Sequence, residues 1–268
     1  MHTWHWQTWE GLPYLTCSIL KPWNHGFFTQ QFWSRSPLEL TNILQPNAEV
    51  YRVKQVHGNT VLTPGETRVQ ETSPSDTSDA AAAQSIAEAD GLITQQAQQA
   101  VWVASADCTP VLIADLKTGQ VAAVHAGWRG TAAKIVPQAI ARLQTQGSKI
   151  PDLRFALGPA ITGKVYQVST QVAAQVGASV IAADTDEFTV NSLHQLPDSP
   201  LLVDSQPGRV RLDVRRVIAL QLEQLGVSPE QVAIAPHCTY QEPEHFFSYR
   251  RDKLKKVQWS GIVSTQFS

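Results

Sequence analysis

The sequence predicts an α+β fold in which layered, mixed β-sheets are flanked by helices in a single compact domain. Four strand-like segments, 91–94, 100–106, 110–115 and 120–125, follow one another without an intervening helix. Helical patterns are scattered over the rest of the chain, and no internal repeat has a fixed period. Consecutive strands with separate helices favour α+β layers over a doubly wound sheet, in which strands and helices alternate.

The last two of these strands form a predicted hairpin. PVLIAD (110–115) and QVAAVH (120–125) are short, apolar and partly β-branched. Lys117, Thr118 and Gly119 lie between them and are typical of a turn. We therefore expect the two strands to pair antiparallel.

Helices and one more strand are expected after the hairpin. The first helix is predicted over 131–146, with Thr131 as N-cap, Pro137 restricting or kinking its early turns and Gly147 as the stop. The most regular apolar face lies at 213–225, where Asp213 is the expected N-cap. The remaining elements are a strand at 154–157 and a helix at 169–176.

One segment interrupts this pattern. Residues 68–88 are rich in Ser, Thr, Asp and Ala, which predicts a mobile surface loop. The whole chain, 1–268, is otherwise expected to form one domain. With 43% apolar and 16% charged residues, a chain of 268 residues can bury a substantial core.

Charge and cysteine content limit the classes of partner and location. The net charge of −2 provides no field that recruits nucleic acid or an anionic membrane, so the expected partner is a small molecule. No apolar run approaches the roughly 20 residues of a membrane span. Three cysteines without framework spacing, and no signal-peptide pattern, indicate a reducing, cytoplasmic compartment.

Cys108 and His125 are predicted to meet at one end of the hairpin. A regular register places Pro110 opposite His125. Cys108 then lies on the same face as His125, at a diagonal of roughly 7 to 8 Å that side chains can close around one ion. A bulge at Gly119 would shift the pairing by one residue and separate them. We expect the regular register.

A thiolate and an imidazole are typical zinc ligands, and a catalytic zinc uses three protein ligands while one position stays open. His57 is the best third candidate, because it ends an extended, alternating apolar segment before a Gly-Asn turn. A single cysteine or histidine is more often a buried or satisfied group. The pair Cys108 and His125 nevertheless favours a metal or nucleophile site.

Six segments of the chain occur in the order typical of one known family. They are QVHGNTV (55–61), ADGLIT (89–94), ADCTP (106–110), AVHAGWRGT (123–131), GPAI (158–161) and FFSYRR (246–251). The sequence thereby resembles the laccase-domain family, also described as polyphenol-oxidase-like proteins or peptidoglycan editing factors and understood as zinc-dependent purine nucleoside phosphorylases. The combination of ADC with HAGWRG is its most specific part.

The resemblance implies an activity and a ligand set. It implies phosphorolysis of adenosine, inosine, guanosine and methylthioadenosine, together with hydrolytic deamination of adenosine. Purine nucleosides and phosphate would then be the small-molecule partners and Zn²⁺ the cofactor. Carried over by position, the zinc ligands are His57, Cys108 and His125.

Candidate phosphate-binding residues follow from the local pattern. HAGWRGT leaves a strand and enters a helix, so backbone N–H groups around Gly127 and Gly130 could bind phosphate, with Arg129 adding a bidentate contact. Alternatively, the glycines only permit a tight turn and Arg129 pairs with a buried carboxylate. Arg250 is a further candidate, or it begins a solvated basic surface.

Cys108, Asp107 and Arg129 are the candidate catalytic residues. Asp107 points away from its neighbour Cys108 on an extended segment, but it could orient a ligand or act as acid or base if the backbone turns there. Asp90 is a further candidate, although an aspartate in a turn more often caps backbone amides.

One family feature is missing. The family usually has an arginine near the start, where this chain has Gln30. If that arginine binds phosphate, Arg35 or Arg52 would have to replace it.

Competing functions remain open. A four-copper polyphenol oxidase is unfavoured, because it needs His-X-His pairs and the eight histidines include none. A hydrolase that edits peptidoglycan precursors could use Cys108 as a nucleophile with His125 as its base. A non-enzymatic interaction module is the third alternative.

Overall fold

Two six-stranded sheets form the centre of the protein in the computed structural model, which describes residues 2–67 and 86–266. Residues 68–85 of the expected mobile loop lie outside the described residues. The strands are β1 (Trp4–Trp9), β2 (Leu12–Cys17), β3 (His25–Phe28), β4 (Glu49–Tyr51), β5 (Val61–Leu62), β6 (Gly91–Ile93), β7 (Gln99–Ser105), β8 (Thr109–Asp115), β9 (Val121–Ala126), β10 (Leu153–Leu157), β11 (Gln167–Ser169), β12 (Leu201–Val203), β13 (Arg209–Leu212), β14 (Val232–Ile234) and β15 (Gln258–Val263). The helices are α1 (Pro37–Leu44), α2 (Pro64–Thr67), α3 (Trp128–Ala132), α4 (Ile135–Thr145), α5 (Thr170–Gly177), α6 (Asp186–Gln195), α7 (Val214–Gln224) and α8 (Tyr249–Asp252).

Both large sheets are mixed. The first has the strand order β1-β2-β3-β15-β7-β4, and only β4 pairs in parallel with its neighbour. The second has the order β14-β10-β8-β9-β6-β5, and its two outermost strand pairs are parallel. A small third sheet has the order β11-β13-β12.

The second sheet is buried on both faces, and this explains why its central strands are apolar throughout. In β8, Val111 and Ile113 pack into the core beneath the helices. The alternate residues Leu112 and Ala114 pack into the core between the two large sheets. Because successive side chains of a strand point to opposite faces, a strand between two cores has a continuous apolar sequence.

Helices cover the outer faces of both sheets. Helices α4 and α7 supply apolar side chains to the core on the second sheet. Helix α1 packs Leu40 and Leu44 against Phe28 and Trp102 of the first sheet. The chain is therefore a layered α+β structure, as the sequence predicts. None of the described helices combines the length and apolar character that a membrane span requires.

The predicted helix over 131–146 is wrong in its start and its continuity. Two helices occupy this region, α3 and α4, and Lys134 between them has a left-handed backbone with φ of 59°. The N-cap of the first helix is Gly127, so Thr131 lies inside that helix. Pro137 falls in the first turn of α4, where proline is tolerated because its missing N–H needs no partner. The sequence predicts a restriction or kink at Pro137, and the break falls three residues earlier, at Lys134.

The bounds of the other predicted strands and helices agree with the observed bounds to within about one residue. Asp213 caps α7, and its carboxylate accepts a hydrogen bond from the N–H of Arg216. Ser169 caps α5 through the N–H of Val172, so this helix begins one residue later than expected. Leu225 is the last residue of the apolar face predicted over 213–225, but it lies one residue beyond the end of α7 and is 38% exposed.

His25 is a buried histidine in the first sheet, outside the six segments that carry the family resemblance. Its Nε2 accepts a hydrogen bond from the N–H of Cys17, and its Nδ1 lies 2.9 Å from the carbonyl oxygen of Trp23. The acceptor role of Nε2 places the proton on Nδ1. Burial lowers the pKa of His25 from 6.5 to about 4, against the smaller opposing effect of the Trp23 carbonyl.

We expect His25 to make the protein less stable in acid. Between pH 6.5 and pH 4 the unfolded chain binds a proton at this position and the folded chain does not, so this stability is complete above pH 6.5 and decreases as the pH falls. From pH 7 to pH 5 the loss amounts to about 2 kcal/mol. Other groups titrate in this range, so denaturant unfolding of wild type should be compared with His25→Gln, whose amide can also accept from Cys17. An equal pH dependence in the two proteins would contradict the assignment.

Candidate metal centre

The hairpin register brings Cys108 and His125 together. Pro110 is paired with His125 and Thr109 with Ala126, which is the regular register expected from the sequence. The left-handed residue Gly119 (φ 72°) is accommodated within the turn and does not shift the pairing. Cys108 therefore lies immediately before the first residue of β8, diagonal to His125, as predicted.

The two glycines of HAGWRG provide space for the site. A Cβ on Gly127 would lie 2.8 Å from Sγ of Cys108 and 3.4 Å from the ring of His57. A Cβ on Gly130 would lie 2.9 Å from the carbonyl oxygen of Gly58. Neither has a positive φ, so close packing explains the glycines better than turn formation does.

His57 is positioned by a buried carboxylate and does not end a strand, contrary to the expectation. Strand β4 ends at Tyr51, and His57 lies in a bend with a left-handed backbone, φ 61°. The N–H groups of Val56, His57 and Gly58 all donate to the carboxylate of Asp90, at 3.2, 2.9 and 2.7 Å. This contact holds the unusual loop against the second sheet.

Asp90 also binds His125, so one carboxylate positions two of the three candidate ligands. Its Oδ1 lies 2.9 Å from Nδ1 of His125, and its side chain is completely buried. Histidine ligands commonly donate their second ring N–H to a carboxylate, which leaves the other nitrogen for the metal. Asp90 therefore caps backbone amides and orients His125, and all of its contacts are structural.

The side chains of His57, Cys108 and His125 form a group that could hold a metal ion. Their ligand atoms all lie within 4.8 Å of one another. Zinc bonds of about 2.0 to 2.3 Å separate tetrahedral donors by roughly 3.5 Å, so small side-chain rotations suffice to close the group on an ion. His125 is buried, Cys108 is partly buried and His57 is exposed, so the group opens to solvent on the His57 side.

The electrostatics favour a thiolate at Cys108. Burial raises the pKa of this thiol, but hydrogen bonds and positive charge from His125 and His57 outweigh it and bring the pKa to about 6. Burial lowers the pKa of His125, whereas Asp90 and Cys108 outweigh that effect and raise it to about 9. Burial also opposes ionisation of Asp90, yet hydrogen bonds from His125 and Gly58 hold its pKa below the usual value.

Asp107 precedes Cys108 and has a strained backbone. Its φ is 93°, a conformation that non-glycine residues rarely adopt and that is found mainly at functional sites. One carboxylate oxygen accepts the hydroxyl of Thr239 at 2.7 Å, and the other accepts the N–H of Arg250 at 2.6 Å. The backbone does turn at Asp107, which redirects the chain so that Cys108 can point toward His125.

Arg129 and Arg250 lie on aromatic rings beside this group. The guanidinium carbon of Arg129 is 4.3 Å from the ring centroid of Trp128. That of Arg250 is 4.7 Å from the centroid of Tyr166, and its Nη1 donates to the carbonyl oxygen of Gln167. Within residues 2–67 and 86–266, neither guanidinium forms an ion pair with a carboxylate. The alternative in which Arg129 pairs with a buried carboxylate is therefore wrong.

Tyr166 and Thr239 belong to the surroundings of the site and were not recognised in the sequence. Burial raises the pKa of Tyr166 to about 12, and the negative charge of Cys108 contributes to this increase. The hydroxyl therefore stays protonated at neutral pH. Tyr166 stands in a connection without periodicity, so no local pattern could have revealed it.

Several other candidates lie apart from the three-residue group. Cys238 accepts hydrogen bonds from the N–H and hydroxyl of Thr162, each at 3.4 Å, which fits a structural role. Gln30, at the family's arginine position, contacts the carbonyl oxygens of His245 and Pro243. Arg35 forms an ion pair with Glu10 at 2.8 Å. Arg52, the other candidate replacement, lines the same cavity as Arg35.

The fold and the site together define a layered α+β domain with a Cys-His-His metal group at the end of a hairpin. The family model described as multi-copper polyphenol oxidoreductase laccase matches residues 35–263. The chain therefore belongs to this laccase-domain family.

Curated relatives share most of this chain. A protein of Synechocystis sp. named purine nucleoside phosphorylase slr1573 is 51% identical over 264 residues, which cover 97% of each chain. A Mycobacterium bovis protein, also named purine nucleoside phosphorylase, is 33% identical over 207 residues, or 77% of this chain and 69% of that protein.

Solved structures share the fold. YlmD from Geobacillus stearothermophilus superposes with a TM-score of 0.75 at 23% identity, covering 97% of this chain and 99% of that one. The Bacillus licheniformis protein YfiH gives a TM-score of 0.72, also at 23% identity, over 94% and 96% of the two chains. At this level of identity the likeness concerns the fold alone.

Proposed function

We propose that this protein is a cytoplasmic, zinc-dependent purine nucleoside phosphorylase that also deaminates adenosine. Its substrates are adenosine, inosine, guanosine and methylthioadenosine, with phosphate as the second substrate. The observation that carries the proposal is the group of His57, Cys108 and His125, oriented by the buried Asp90. The names of the two curated relatives support the reaction class.

The donor set favours zinc over copper. One thiolate and two imidazoles, with a fourth position open toward solvent, match the pattern of catalytic zinc sites. The described residues hold only one such group of histidine, cysteine and carboxylate side chains, whereas a multicopper enzyme needs several. When bound, zinc supplies a Lewis acid that polarises a substrate group or activates water.

Arg129 and Arg250 are the proposed phosphate ligands. Both have a guanidinium over an aromatic ring and lack a carboxylate partner among the residues that the structure describes. A guanidinium with uncompensated charge binds phosphate strongly and can do so with two hydrogen bonds. Backbone N–H groups near Gly127 and Gly130 would contribute further donors.

Cys108 acts in this proposal as a metal ligand and Asp107 as a positioning residue. Both carboxylate oxygens of Asp107 already accept hydrogen bonds from Thr239 and Arg250. Through its carboxylate, Asp107 would hold the backbone of Arg250 next to Cys108, the following residue. Of the three candidate catalytic residues, Arg129 is the one proposed to contact the substrate directly.

A Cys-His hydrolase acting on peptidoglycan precursors is the second candidate. The observation in its favour is the low pKa of Cys108, about 6, beside His125, because a thiolate next to an imidazole is an activated nucleophile. Stoichiometric zinc bound through Cys108 would leave no free thiolate for this chemistry. Metal content therefore separates the two candidates.

The proposed function predicts phosphate-dependent products from adenosine. Zinc-loaded protein should release adenine from adenosine only with phosphate. Deamination should give inosine without phosphate, and phosphorolysis of that inosine should give hypoxanthine when phosphate is present. Cys108→Ala should lose both activities because the ligand group is broken. Liquid chromatography of incubations with and without phosphate measures this.

Cys238→Ala is the matched control, since Cys238 is a buried cysteine outside the ligand group. It should retain wild-type product formation. Full activity of Cys108→Ala would exclude the metal mechanism, and a zinc-loaded wild type that leaves all four nucleosides unchanged would exclude the proposed function.

A further inference from the structure

Two cations beside the metal group are held in place without being neutralised. Each guanidinium lies on an aromatic ring, Arg129 on Trp128 and Arg250 on Tyr166. Stacking on a ring orients a guanidinium but leaves its N–H edge free to bind an anion. Trp128 and Tyr166 are both partly buried and pack against the same apolar core, so they form a rigid support.

The hydroxyl of Tyr166 takes no part in the contact between its ring and Arg250. The ring lies under Arg250, and the hydroxyl forms no hydrogen bond with another described residue. The hydroxyl is not among the fully buried polar atoms without a partner, so it is open to solvent and to a ligand. Arg250, whose guanidinium lies on this ring, donates its backbone N–H to Asp107, the residue before Cys108. The charges of Cys108, Asp107 and both arginines also act on the pKa of the hydroxyl, so Tyr166 lies near all of them.

We propose that the hydroxyl of Tyr166 donates a hydrogen bond to the phosphate held by Arg129 and Arg250, and thereby determines the enzyme's capacity for phosphorolysis. This inference rests on the proposed function and adds a specificity residue to it. Phosphate has several acceptor oxygens, so a neutral donor between two cations fits its chemistry. Deamination of adenosine uses water and needs no such contact.

The three donors approach from separate parts of the chain. Arg129 follows β9, Tyr166 precedes β11 and Arg250 belongs to α8. Hydrogen bonds connect the last two parts to each other and to the metal group: Nη1 of Arg250 donates to the carbonyl oxygen of Gln167, the residue after Tyr166, and the N–H of Arg250 donates to Asp107, beside Cys108. Phosphate bound between them would lie next to the metal group.

Tyr166→Phe tests the inference because it removes only the hydroxyl and keeps the ring under Arg250. We expect the KM for phosphate to rise roughly tenfold or more, as for the loss of a hydrogen bond to a charged group. The KM for the nucleoside, the rate of deamination without phosphate and the zinc content should stay unchanged. Tyr249→Phe is the control, since Tyr249 is 52% exposed and should tolerate the change.

Direct phosphate binding separates this inference from the proposed function. Isothermal titration of inorganic phosphate into zinc-loaded protein should give weaker binding for Tyr166→Phe than for wild type and Tyr249→Phe. If wild type binds phosphate and Tyr166→Phe binds it more weakly, but no nucleoside is cleaved, the anion site stands and the proposed function fails. Equal phosphate affinity of wild type and Tyr166→Phe would overturn the role of Tyr166, whatever the activity.

Discussion

Replacing Asp90 with alanine is expected to lower the free energy of unfolding by about 4 kcal/mol, as is usual when a buried, hydrogen-bonded charge pair is broken. The carboxylate accepts three backbone N–H groups from the His57 loop and the ring of His125. Its removal leaves these donors without a partner. We also expect zinc affinity to fall about 10- to 100-fold, the usual cost of losing a carboxylate that orients a ligand.

Denaturant unfolding should be measured in the presence of a chelator, because bound zinc would add its own stabilisation. Asp115→Ala is the matched control. Asp115 is equally buried, and its carboxylate accepts the N–H groups of Lys117 and Thr118 at the opposite end of the hairpin. This control should lose some stability and keep wild-type zinc affinity. Undiminished zinc affinity in Asp90→Ala would contradict the orienting role of Asp90.

Single replacement of any one ligand is expected to abolish tight zinc binding. Purified wild type should hold one zinc ion per chain, and removal of the ion with a chelator should abolish activity until zinc is restored. His57→Ala, Cys108→Ala and His125→Ala should each lower zinc affinity by at least about a hundredfold, because each removes one of three protein donors. Elemental analysis for zinc and copper, followed by competition with a chromophoric chelator, measures this.

Cobalt substitution identifies the sulfur ligand separately. A cobalt-loaded wild type should show a thiolate-to-cobalt charge-transfer band, which Cys108→Ser should lose and Cys238→Ser should keep. His237→Ala is the histidine control, because His237 pairs with Glu242 outside the ligand group. Copper in preference to zinc, or full zinc affinity after loss of Cys108, would disprove the proposed centre.

The parts of the site that were predictable are those formed by neighbouring segments. The pairing of Pro110 with His125 follows from one turn and from the two-residue period of strands, so the meeting of Cys108 and His125 could be derived without the fold. His57 was selected by its residue type and motif, and the structure places it beside Cys108 and His125, but the expected strand end was wrong. Its bend depends on Asp90, which lies 33 residues later in the chain.

Other features depend on contacts that no local pattern records. The helix expected over 131–146 is broken at Lys134, where tertiary packing overrides helical periodicity. The requirement for glycine at 127 arises from the nearby sulfur of Cys108. The hydrogen bond between Asp107 and the N–H of Arg250 joins residues separated by 143 positions.

The sequence by itself determined the α+β class, the hairpin register and the choice of the three candidate ligand residues, because strand period, turn chemistry and donor type are local properties. Only the tertiary structure decided how these residues are arranged: the buried carboxylate of Asp90 contacts His125 and the His57 loop, and Gly127 leaves space beside Cys108. It also places Arg129 on Trp128 and Arg250 on Tyr166. These arrangements join segments distant in the chain, and burial of both faces of the second sheet is what brings them together.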